Sequence, residues 1–166
     1  MLILGIDPGT ATTGYGLINS DGVGTSKVVD WGLIETDKNG FKENRLELIY
    51  KETLSLIKIH APDLFVMEKI FFATNAKTAI AVGQAQGVLL LAASKTKTKV
   101  VEYAPGTIKK MITGDGRAKK KDIQKAIRKM LGPQVKSKAH KKTHFDNAAD
   151  ALAVALTHAL RVKGEG

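Results

Sequence analysis

The apolar period of this chain changes once, near residue 45, and that change limits the folds open to it. Before it, "LILGID" (2–7), "TGYGLINS" (13–20) and "VVDWGLIET" (28–36) are apolar runs of strand length. "PG" ends the first, and the turn cluster "DGVGTS" joins the other two, so the three read as an antiparallel meander. After it, Leu46, Ile49, Tyr50, Leu54 and Ile57 recur at helical spacing, and Pro62 closes that helix. "DLFVMEK" (63–69) and "KVVEYA" (99–104) read as strands on either side of an Ala-rich helix over 75–95. Helices over 105–113 and 122–131 follow, with a glycine-punctuated basic loop, "GDGRAKKK", between them. A polar connector (132–144) leads to a last helix over 146–162. A meander followed by βαβ crossovers predicts an α/β fold: a five-stranded mixed sheet flanked by helices, with the last helix packed back onto it. The length and the lack of an internal repeat favour one domain over 1–166.

The charge balance narrows the partner. Twenty-six Lys and Arg against 16 Asp and Glu leave +10, a large excess for this size. An anionic partner follows, nucleic acid first and membrane surface second. No stretch reads as long and apolar enough to span a bilayer, and the N-terminus lacks the pattern of a signal peptide. With no cysteine, thiolate catalysis, disulfides and Cys-ligated zinc are excluded, and a cytoplasmic location is expected.

Against that basic background three carboxylates stand out. Alternation in "ILGID" sets Ile3, Gly5 and Asp7 on one face, and in "LFVMEK" Val66 and Glu68 share a face. If the two strands are neighbours, both carboxylates project from one side of the sheet. Asp150 lies beside the apolar stripe Leu152, Ala153 and Leu156 of the last helix, where a carboxylate is costly without a partner. Magnesium is such a partner, because it takes hard oxygen ligands. Two ions about 4 Å apart can activate water and stabilise the leaving oxygen in phosphodiester cleavage. Taken singly, Asp7 also reads as a turn residue before Pro-Gly, Glu68 as a strand-end charge, and Asp150 as a first-turn helix residue favoured by the dipole.

Three blocks then carry a family likeness. "GIDPGTATTGYGLI", "FVMEKIFFATNAKTAIAVGQAQGV" and "NAADALAVALTHA", with "YAPGTIKK" between the last two, resemble the signature blocks of the RuvC-type Holliday junction resolvases. They run in the family's order and cover almost the whole chain. The resemblance implies a ribonuclease H-like fold. It also implies a homodimer that nicks two symmetric strands of a four-way DNA junction in recombination and repair, with the branch-migration motor complex of that pathway as a further partner. The implied cofactor is Mg2+, two ions per active site, for which Mn2+ can substitute. The resemblance places metal ligands on Asp7, Glu68 and Asp150. The fourth such position, three residues before Asp150, is acidic or histidine in the family and is Asn147 here. An asparagine offers a neutral oxygen and cannot act as a base. Two explanations follow: a substitution that keeps DNA binding and blocks cleavage, or the use of Asp146 or a shifted helix start. Near-isosteric Asp→Asn replacement favours the first. His144 reads as a connector residue outside the helix.

The same resemblance supports Lys109 and Lys120 as phosphate contacts, within a basic set that adds Lys110, Arg117, Lys119 and Lys121. Gly114 and Gly116 would let the backbone between them approach phosphates. "KSKAHKK" reads as a DNA clamp or as a plain connector. Phe71 is the aromatic expected to stack on unpaired bases, worth ~1–3 kcal/mol per base, with Asn75 close by as a further DNA contact. Gly83 and Gly87 make a smooth stripe suited to a two-fold dimer, or to packing on the chain's own sheet. An actin-like or sugar-kinase phosphotransferase shares the strand-end Asp before Gly and Thr. It needs two such domains, and this chain has room for one. Another ribonuclease H-like nuclease, acting on RNA, is the remaining rival.

Overall fold

The computed structural model describes residues 1–22, 25–69, 75–135 and 142–164. The five expected strands are β1 (Leu2–Asp7), β2 (Thr12–Ser20), β3 (Ser26–Glu35), β4 (Leu64–Glu68) and β5 (Lys99–Tyr103). The helices are α1 (Lys42–His60), α2 (Ala76–Lys95), α3 (Pro105–Thr113), α4 (Lys120–Leu131) and α5 (Lys142–Gly164), with a 3-10 turn at Gly132–Val135. The sheet order is β3-β2-β1-β4-β5. The meander β1-β2-β3 is antiparallel, while β4 and β5 add in parallel beyond β1.

Strand alternation divides the core into two layers. Ile3, Ile18, Leu64 and Val66 face α3, α4 and α5, whereas Leu4, Ile6, Leu17, Phe65 and Met67 face α1 and α2. In the first layer α5 lies across β1 and β2, and glycines make that possible. A Cβ on Gly5 would collide with the Ala151 carbonyl oxygen and sit 2.6 Å from Ala155 N. On Gly16 it would meet Leu152 Cδ2 at 2.7 Å. A strand-interior glycine marks close approach of another backbone, and here it seats the last helix directly on the first strand.

Several boundaries depart from the sequence expectation. Helix α5 starts at Lys142 rather than 146, because 142–145 contains no proline or glycine to stop the helix running upstream of its apolar stripe. His144 is therefore helical rather than part of the connector, and Asp150 lies in the ninth position, too far in for a first-turn dipole effect. Helix α4 starts at Lys120 rather than Asp122. The Asp122 carboxylate accepts the Lys119 N–H at 3.1 Å, fixing the helix start two residues upstream. Gly114, with φ +83°, is the left-handed cap of α3, which gives it a structural role. Helix α2 also corrects the hydropathy reading. By length and composition it could cross a membrane, although Ala85, Leu89, Ala92 and Ala93 pack into the second core layer.

A carboxylate and lysine site at the sheet end

Strands β1 and β4 end side by side. Their parallel register pairs Gly5 with Val66 and Ile6 with Met67, and its next step sets Asp7 beside Glu68. Both belong to the face on which α5 packs, as alternation requires. The end of β4 is tied down from two sides. Lys69 N–H donates to the Tyr103 carbonyl at 2.8 Å, and Gln86 Nε2 donates to the Glu68 carbonyl at 2.7 Å. Sequence reasoning missed Gln86, although a glutamine between small residues on an apolar helix is itself a signal that a polar group nearby needs a partner.

Asp150 reaches the same place from α5. It is the partly exposed position in a run that is otherwise buried from Ala148 to Thr157. Burial pushes the Asp7 carboxyl from its ordinary 3.8 up to about 7, and the Asp150 and Glu68 charges add to the push while Lys120 opposes it. Glu68 is raised as well, by burial first and then by Asp150, with Lys109 opposing. The three carboxylates thus share one electrostatic environment. A shift of the size seen at Asp7 corresponds to ~4 kcal/mol. Burial of Leu152, Val154 and Leu156 on α5, at ~1.5–3 kcal/mol each, is enough to hold the helix in place against it.

Two lysines face the carboxylates. A cavity of about 190 Å3 is lined by Glu68, Asp150, Lys109 and Lys120 together with Ile108 and Ile123; Asp7 is not among its lining residues. Lys120 Nζ is 2.9 Å from Asp150 Oδ2. Lys110, Arg117, Lys119 and Lys121 are exposed and lie outside this lining, so the structure separates two of the six expected basic residues from the other four. Asn75 caps α2, its Oδ1 accepting the Lys77 N–H at 3.0 Å. Asp146 and Asn147 belong to the helical backbone of α5, and their side chains, like Phe71 and "KSKAHK", lie outside the described residues.

The donor chemistry fits a hard divalent cation: three carboxylates held together, two of them forced towards protonation by burial and by each other. The placement fits less completely. Among the described residues, no three carboxylate or imidazole groups are spaced to grip one ion, and one oxygen of Asp150 is engaged by Lys120.

The chain is similar to known proteins over nearly its whole length. The family described as "Crossover junction endodeoxyribonuclease RuvC" matches residues 3–158. The protein of that name from Caldicellulosiruptor saccharolyticus is 44% identical over 160 residues, covering 96% of this chain and 93% of its own length. That from Thermotoga petrophila is 45% identical over 161 residues, covering 97% and 93%. The solved structure described as T. thermophilus RuvC in complex with Holliday junction substrate superposes with a TM-score of 0.87 at 28% identity, over 99% of this chain and 96% of that one. The fold is the ribonuclease H-like one that the resemblance implied. By a match that runs nearly end to end, this chain belongs to the RuvC family of crossover junction endodeoxyribonucleases.

Proposed function

We propose that this chain, acting as one nuclease domain over 1–166, binds four-way DNA junctions and nicks two symmetric strands by metal-dependent phosphodiester hydrolysis. The observation that carries this reading is the electrostatic coupling of Asp7 with Glu68 and Asp150, the latter two lining one cavity with Lys109 and Lys120. When bound, Mg2+ or Mn2+ would activate water and stabilise the leaving oxygen. Asp7, Glu68 and Asp150 are the ligands proposed for the cation, with Asn147 adding a neutral oxygen. Lys109 and Lys120 bind the phosphate and offset the charge that develops on it. Lys110, Arg117, Lys119 and Lys121 supply backbone contacts that position the strand without reading sequence.

A homodimer fits two equivalent cuts. Ile80, Gly83, Gly87 and Leu91 lie along an exposed face of α2, and a Cβ on Gly87 would meet no atom within 4 Å. That observation favours a partner helix over packing of the glycines on their own sheet.

A second reading, an impaired junction binder, is favoured by Asn147 alone. A labelled four-way junction with Mg2+ separates the two. On the impaired-binder reading Asn147→Asp nicks at least tenfold faster than the unsubstituted chain, whereas equal rates would show that Asn147 does not limit cleavage. If Asn147→Asp binds linear duplex as well as junctions and nicks neither, the resolvase reading fails.

A further inference from the structure

Lys120 stands first in α4, and its ammonium meets Asp150, a fellow lining residue of the cavity, with the two side chains 53% and 23% exposed. The pair is close but its lysine is more than half exposed, so solvent screens it and a competitor can break it. It also has two competitors. A cation that binds Asp150 must displace an ammonium from one carboxylate oxygen, and a DNA phosphate entering the cavity competes with that carboxylate for the same ammonium. Lysine suits such an exchange, being a point charge on a flexible four-carbon stem with no fixed fork geometry. Lys109 differs. It lines the same cavity and its charge acts on Glu68, whereas the ion pair with Asp150 is made by Lys120.

We infer that Lys120 is an exchangeable internal counter-ion, pairing with Asp150 in the DNA-free protein and passing to a phosphate when DNA binds, which frees Asp150 for the cation. This rests on the metal-dependent reading above and adds a regulatory consequence to it. Cation and DNA binding reinforce each other, and by linkage the factor is the same in both directions. The DNA-free enzyme is then biased against holding its cation, so the site completes itself on the substrate.

The test is Mn2+ titration of the DNA-free protein, following free Mn2+ by electron paramagnetic resonance. Lys120→Met, checked for folding by thermal melt, binds Mn2+ about two- to fivefold more tightly than the unsubstituted chain. Lys109→Met gains less, and Asp150→Asn loses affinity. Junction binding is then measured with and without Ca2+, the DNA being checked as intact. Ca2+ strengthens it by a larger factor in the unsubstituted chain than in Lys120→Met. An unchanged or weaker Mn2+ affinity in Lys120→Met, a gain in Lys109→Met as large as in Lys120→Met, or equal Ca2+ factors would overturn the inference while leaving the metal-dependent reading intact. Failure of Mn2+ to bind any variant would overturn both.

Discussion

Asp7 carries the largest electrostatic burden in the site, and its chemistry has a consequence for stability. Its carboxyl is pushed from 3.8 up to about 7, chiefly by burial, so between those values the folded protein holds a proton that the unfolded chain has released. Stability therefore falls as pH rises through that window and levels off above it. Asp7→Asn removes the penalty. Without divalent cation the variant gains up to ~4 kcal/mol at pH 8, and the gain shrinks to nothing as pH falls from about 7 towards 4. Urea denaturation of both proteins across that pH range measures it. A carboxylate that is costly to stability and central to the site is the pattern of a residue kept for chemistry. Asp7, Glu68 and Asp150 were legible in the sequence because alternation and motif spacing both bear on them. The Lys120–Asp150 pair was not, because it depends on where a helix starts, and a boundary is fixed by local capping more than by period.

Among the elements, α5 decides whether there is a site at all. It brings Asp150 to a strand pair that would otherwise hold Asp7 and Glu68 alone, and it does so only because Gly5 and Gly16 carry no side chain beneath it. Gly5→Val drives a branched side chain into the Ala151 carbonyl and Ala155. Overpacking of this kind costs ~1–3 kcal/mol and lifts Asp150 away from Asp7. Chemical denaturation will show the loss of stability, and junction nicking falls by a larger factor than stability alone explains. The order of elements was readable from the change of period. The starts of α4 and α5 were not. Helical residues without apolar signal, Lys120–Lys121 and Lys142–His144, carry no periodicity to read.

At the scale of the whole molecule, the two faces of the sheet divide the labour. One face carries α3, α4 and α5 and the carboxylate site, and the other carries α1 and α2. On α2, Ile80 and Leu91 remain 61% and 47% exposed, an apolar surface at odds with a chain of net charge +10 unless a second copy covers it. Ile80→Glu with Leu91→Glu halves the mass seen by sedimentation and leaves the melting temperature of the monomer nearly unchanged, since neither side chain lies in the core. The double variant then yields single nicks where the parent yields pairs.

The proposed cleavage depends on Asp7, Glu68 and Asp150 acting together on one cation site. Anomalous diffraction from a junction-bound crystal soaked in manganese tests that directly. The account predicts anomalous density within coordination distance of all three carboxylates, with Lys120 Nζ withdrawn from Asp150. Manganese bound elsewhere, or none bound with the Lys120–Asp150 pair intact, would contradict it.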